Sequence, residues 1–121
     1  MSLKHTLILG ASPNPERYSF LAAKSLSSHN HPITMVGKKD GVVCYLPILH
    51  SILQNLEIDT VTVYLSAKNQ IAYYSDIIQL KPKRVIFNPG AENPELEKLA
   101  IENGIEVENA CTLVLLSIGQ Y

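Results

Sequence analysis

Four short runs, each dense in aliphatic residues and three of them followed by a segment of helical spacing, constrain this chain most. "TLILG" (6–10), "PITMV" (32–36), "DTVTVYL" (59–65) and "KRVIFN" (83–88) are the right length for strands. The first has no polar alternation at all, as expected of a strand buried on both faces. Between them, "YSFLAAKSLSSH" (18–29) puts Phe20, Leu21, Ala23 and Leu26 mostly on one face, with Ser19 as the expected N-cap. "SAKNQIAYYSDIIQL" (66–80) opens on a capping Ser66 and repeats Ile71, Tyr74, Ile77 and Ile78 at helical spacing. In "NPELEKLAIENG" (93–104), Asn93 is placed to cap, Pro94 to open the helix, and Gly104 falls just past its end. "IEVEN" (105–109) reads as a fifth strand and "ACTLVLLSIGQY" as a last helix on the sheet. "GKKDG" (37–41) is turn chemistry. "VVCYLPI" (42–48) fits either a short strand or an extended crossing, and a short helix is allowed at 49–56.

Strands alternating with helices predict an α/β fold: a Rossmann-like, three-layer parallel sheet of about five strands with helices on both faces. Right-handed crossovers suggest the strand order 3-2-1-4-5. Residues 1–121 are then one domain, with a ligand crevice beyond the carboxyl ends of the first and fourth strands, where Gly10–Ser19 and Asn88–Asn93 would meet.

Composition narrows the function classes. With 46% hydrophobic and 17% charged residues the chain can bury a core. Its apolar runs are far shorter than the roughly 20 residues that span a bilayer, and "MSLKHTLILGASP" resembles a strand rather than a signal peptide. The expectation is a cytoplasmic protein with no membrane partner. Cys44 and Cys111 form no CxxC and are expected to be buried. "HNH" (29–31) reads as a polar helix end, and no metal-ligand spacing is present. Net charge is −1, but residues 1–50 carry five Lys/Arg against two Asp/Glu, and residues 51–121 five against nine. That bias is too weak for nucleic acid and suits a small anionic ligand held near the first loop.

That loop, "GASPNPERYS" (10–19), joins the first strand to its helix, where free backbone N–H groups and the helix dipole favour an anion. Ser12 and Ser19 could add hydroxyls, and Arg17 a charge-assisted bond. The bland alternative is a proline-stiffened turn. The dinucleotide fingerprint is absent, because Ser12 and Pro15 stand where it requires glycine, and no Gly-Lys-Ser/Thr follows for a P-loop. NAD-binding folds place Asp or Glu at the end of the second strand. Here Lys38 and Lys39 come first, which favours a ribose carrying a phosphate, as in NADP or coenzyme A (CoA). A solvated basic turn is the alternative.

"GASPNPERYS", the "NPG" after the fourth strand, and "NPELEKLAIENGIEVENAC" together resemble the small stand-alone CoA-binding domain proteins. Their fold is similar to the CoA-binding domain of the succinyl-CoA synthetase α subunit, and the resemblance covers nearly the whole chain. It implies that Gly10, Ala11, Ser12, Asn14, Arg17 and Ser19 lie against the CoA phosphates. It implies that Val36, Gly37, Lys38 and Lys39 meet the adenosine end, and that Tyr64, Leu65 and Ser66 line the ligand's path. Asn88, Pro89 and Gly90 would face the pantetheine, and Cys111 matches the family's cysteine near the end. This chain departs from the family at "GKKD", where Asn-Pro is frequent, and at Leu65-Ser66-Ala67, where Arg-Pro-Pro is frequent.

No catalytic residue is assigned. No Ser/His/Asp triad is defensible, Ser12 is not in a Gly-x-Ser-x-Gly elbow, and the synthetases' catalytic histidine belongs to a second domain. Non-catalytic binding of CoA or an acyl-CoA, with the pyrophosphate on the first loop, is the leading reading. An NADP-binding reductase or redox sensor is one alternative, and an interaction subunit with a vestigial nucleotide pocket is another. The apolar tail "TLVLLSIGQY" is either core or a contact with a second copy or a partner subunit. Tyr18 and the Tyr73–Tyr74 pair are expected to pack rather than stack on a base.

Overall fold

The computed structural model describes residues 2–121. In chain order its elements are β1 (Thr6–Leu9), α1 (Tyr18–Ser28), β2 (Ile33–Val36), β3 (Val42–Val43), β4 (Leu46–Leu49) and β5 (Thr60–Val63). There follow α2 (Ala67–Gln70), a 3-10 turn (Ile71–Tyr73), α3 (Tyr74–Leu80), β6 (Arg84–Phe87), α4 (Pro94–Glu102), β7 (Glu106–Asn109) and α5 (Thr112–Ser117). They build one sheet ordered β3-β4-β2-β1-β5-β6-β7. All neighbours pair in parallel except the β3–β4 hairpin.

The α/β class with a mostly parallel sheet matches the sequence reading, but the sheet has seven strands rather than five, and the order 3-2-1-4-5 is corrected. Strand 59–65 does not lie outside the second strand; as β5 it pairs along the whole of β1. The outer position is taken by residues 42–49. There β4 pairs with β2 through Met35–Ile48 and Val36–Leu49, and the Gly37 N–H donates to the Leu49 carbonyl at 2.8 Å. Those bonds hold the chain extended, so no helix starts at 49. The six parallel strands thus follow the doubly wound order, with the switch point between β1 and β5.

Alternation along β1 explains its unbroken apolar run. Leu7 and Leu9 join one core with Val61, Val63, Val85 and Phe87, closed by Ile77 of α3 and Leu96 of α4. Ile8 faces the other core with Met35, closed by Ala23 and Leu26 of α1 and Leu116 of α5. The tail therefore divides: Thr112 and Leu116 are buried, whereas Val114 and Ile118 are exposed. Helix 66–80 is interrupted by the 3-10 turn, next to a fully buried Gln70.

Three further expectations are corrected. The N-cap of α1 is Arg17, without a side-chain cap bond. The lead-in is instead an Asx turn, in which Asn14 Oδ1 accepts from the Glu16 N–H at 2.9 Å, and Ser19 lies buried in the first turn. Both cysteines are half-buried rather than buried. Cys44 and Tyr45 form the β3–β4 turn at φ +53° and +66°, the primed hairpin geometry that usually selects Asn or Gly. His31 is no polar helix end. It is 4% exposed, its Nδ1 accepts from the Lys4 N–H at 2.9 Å, and its ring packs on Tyr121.

A buried polar knot holds the carboxyl ends of β5 and β6 together. Asn88 donates to Thr62 Oγ1 at 2.7 Å and to the Val63 carbonyl at 2.9 Å, while its Oδ1 accepts from the Thr112 N–H at 2.9 Å. Thr62 and Thr112 share a hydroxyl bond at 2.8 Å. Beside it, Gln70 donates to the carbonyls of Leu65 and Ala91 and accepts from Asn93, which caps α4 as its sequence predicts. Asn88→Ala leaves buried partners unsatisfied. It is expected to cost about 2–3 kcal/mol and to lower the thermal midpoint by roughly 10 °C. A calorimetric scan showing an unchanged midpoint would contradict that role for Asn88.

Candidate functional site

Three backbone segments converge at the switch point because two glycines let them. β1 ends at Leu9, and Gly10 turns the chain at φ +95°. The N–H groups of Gly10 and Ala11 both donate to the Val36 carbonyl at 2.9 Å, locking the first loop over the end of β2. A Cβ on Gly37 would lie 2.2 Å from the Ala11 carbonyl oxygen. A Cβ on Gly10 would lie 3.1 Å from both the Leu65 side chain and the Tyr64 carbonyl carbon. Any side chain at 37 would push the loop away from the sheet.

The loop that follows keeps donors free. Pro13 and Pro15 have no N–H. The Asn14 N–H donates to Ser12 Oγ at 3.1 Å, and the Arg17 N–H to the Asn14 carbonyl at 3.1 Å. The N–H groups of Ser12, Tyr18 and Ser19 find no acceptor among the described residues. The latter two belong to the open end of α1, where the helix dipole adds positive potential.

These groups border a cleft of about 370 Å³. Of the residues singled out from sequence, Gly10, Ala11, Ser12, Asn14, Arg17 and Ser19 line one wall. Lys38 and Lys39 line a second, and Tyr64, Leu65 and Pro89 complete it. Arg17, Lys38 and Lys39 supply positive charge, and no Asp, Glu, His or Cys is in the lining. Val36, Gly37, Ser66, Asn88 and Gly90 are not in it. Val36 and Gly37 anchor the loop from below. Ser66 precedes α2, where its Oγ accepts from the Asn69 side-chain amide at 3.1 Å. Asn88 is committed to the polar knot. Gly90 takes φ +92° and donates to Glu92.

One residue expected to pack and one that the sequence did not single out contribute as well. Tyr18 is 71% exposed and lines the cleft; its place at the loop–helix junction was the available signal. His50 gave none. Its Nδ1 lies 3.0 Å from the Gly37 carbonyl oxygen and its Nε2 2.6 Å from Asp40 Oδ1. Both neighbours are acceptors, so the ring donates to both when it is protonated, and the Asp40 carboxylate, followed by the Gly37 carbonyl, raises the His50 pKa. The His50 ring thus spans the turn that carries Lys38 and Lys39.

Beyond Pro89 the cleft adjoins a second chamber of about 240 Å³, which shares Tyr18, Tyr64 and Pro89 and adds Asn88, Cys111 and Leu113. The Tyr64 hydroxyl is buried beside Thr62 and Thr112, and burial pushes its pKa up to about 12. Among the described residues, no group of three or more His, Cys, Asp or Glu could hold a metal ion. No helix is long and apolar enough to cross a membrane.

Comparison with known proteins gives this geometry a context. No curated protein matches the chain. An uncharacterised protein of known crystal structure is 50% identical, each chain covering all of the other, with a TM-score of 0.97. A hypothetical protein from Pyrococcus horikoshii OT3 is 28% identical over 93% of this chain and 80% of that one, with a TM-score of 0.85. The cell-free ID.343 structure from Thermus thermophilus is 22% identical over 98% and 91%, with a TM-score of 0.86, and shares the fold. The family described as "CoA binding domain" matches residues 4–117. That match spans every element from β1 to α5, and the chain belongs to the CoA binding domain family.

Proposed function

We propose that this protein binds CoA or an acyl-CoA and does not itself transform it. The observation that carries this reading is the first loop. Three unengaged N–H groups, at Ser12, Tyr18 and Ser19, stand beside Arg17, Lys38 and Lys39 in a cleft with no carboxylate. Such a surface suits the pyrophosphate, held by backbone donors at the start of α1. Lys38 and Lys39 hold the 3′-phosphate as point charges. The pantetheine arm then follows Tyr64 and Leu65 toward Pro89. Family membership supports the choice of CoA. Binding without catalysis is supported by the absence of any histidine or carboxylate from the lining of the cleft and of the adjoining chamber, where Cys111 has no base beside it.

Calorimetric titration with CoA, with NADPH and NAD as controls, tests the reading, and selective CoA binding is expected. Lys38→Glu/Lys39→Glu should weaken CoA by about tenfold or more, the scale of a lost charge-assisted contact. For the wild type, 3′-dephospho-CoA should show a similar loss; for the double variant, removing that phosphate should cost nothing further. Absence of CoA binding overturns the function, and an unchanged affinity in the double variant overturns the pose.

The histidine bridge under the same turn gives a pH dependence. Because the folded pKa of His50 is raised above 6.5, its contribution to stability is complete below pH 6.5 and is lost as pH rises through the folded value. The ring is largely exposed, so the effect is small. Thermal midpoints of the wild type minus those of His50→Gln should be most positive near pH 5.5 and shrink toward zero by pH 8.5. A difference independent of pH would remove the imidazolium from this account.

A further inference from the structure

We infer that the chamber beyond Pro89 seats the acyl group of a short, uncharged acyl-CoA, about two to four carbons long; this rests on the binding mode proposed above. Three side chains, Tyr18, Tyr64 and Pro89, belong to both the cleft and the chamber. The two spaces therefore adjoin at Pro89, and a ligand whose phosphates lie on the first loop is directed toward the chamber. The end of CoA that arrives there is the thiol or its thioester.

Size and polarity set the class. At about 30 Å³ for each water-sized group, a chamber of about 240 Å³ takes the thioester and a few carbons. A twelve-carbon chain would overfill it. The walls carry no charge. Leu113 and Cys111 face it from the start of α5, and both amide hydrogens of Asn88 are spent on Thr62 and Val63. The Tyr64 ring adds apolar wall, and its hydroxyl is buried beside Thr62 and Thr112. A terminal carboxylate, as in a dicarboxylic acyl group, would be desolvated with no cation beside it, since Arg17, Lys38 and Lys39 line the cleft and not the chamber.

Titration of the full chain with CoA and with acetyl-, butyryl-, dodecanoyl- and succinyl-CoA tests this. Dodecanoyl-CoA is kept below its micellar concentration. Affinity should rise about three- to fourfold per methylene from acetyl to butyryl, the factor expected for burying each CH₂. It should gain nothing further at dodecanoyl, and should fall by about tenfold or more for succinyl relative to butyryl. Leu113→Trp, which fills the chamber, should abolish the butyryl gain while leaving the affinity for CoA unchanged. Equal affinity across the series, dodecanoyl- or succinyl-CoA binding as tightly as butyryl-CoA, or a butyryl gain that survives Leu113→Trp overturns the chamber alone. Failure of every one of these ligands, CoA included, to bind overturns the proposed function and the chamber with it.

Discussion

The contact between Gly37 and the Ala11 carbonyl sets the distance at which the first loop rides over the sheet, and the site depends on that distance. The Val36 carbonyl takes two N–H groups from the loop, and Gly37 gives the loop room to come that close. Only then does Gly10 reach the Tyr64–Leu65 backbone, so that loops from β1, β2 and β5 meet in one place. The asymmetry is physical: a hydrogen bond draws the segments together, and the missing Cβ permits the approach. Two prolines then keep the rest of the loop from spending its own donors.

The opposite wall is held differently. Gly10 packs against Tyr64–Leu65 from the loop side, but the segments of this wall are tied to one another by side chains. The buried amides of Asn88 and Gln70 bond to backbone and side-chain groups of the segments at 62–65, 91–93 and 112. Buried amides satisfied this fully are rigid, because each missing bond would leave a desolvated group. One half of the cleft is thus fixed by close backbone packing and the other by a polar knot.

How much of this was legible in the sequence differs by element. β1, β2, β5 and β6 were visible because a strand buried on both faces must be apolar without interruption or β-branched, as Leu7–Leu9 and Val61–Val63 are. The α4 start was visible because Asn93 and Pro94 act locally. The β3–β4 hairpin was not legible as such. Its turn is Cys44-Tyr45 in a conformation that local propensity assigns to Asn-Gly, and tertiary pairing with β2 overrides the preference. The order of the sheet failed for the same reason, since one ambiguous segment takes the edge position. In the cleft, the residues read by local chemistry, Gly10 through Ser19 with Lys38 and Lys39, are brought together. Asn88, which the family resemblance placed at the pantetheine, has its amide committed to internal bonds and lines the second chamber rather than the cleft. His50 was invisible, since its partners lie 13 and 10 residues back and only the fold brings them to it.

The hairpin has a consequence for the solubility of the molecule. A parallel sheet offers a row of unpaired backbone groups at each rim, and such a rim recruits other chains. At one rim β7 carries the exposed Glu106, whose charge opposes stacking, and Glu108, paired with Arg84 at 3.1 Å. At the other, β4 covers the edge of β2, and the two-residue β3 folds back antiparallel and offers little length for another strand. Residues 42–49 thus act as a cover for Met35 and Val36. Peeled away, they would leave an apolar central strand as a template for aggregation.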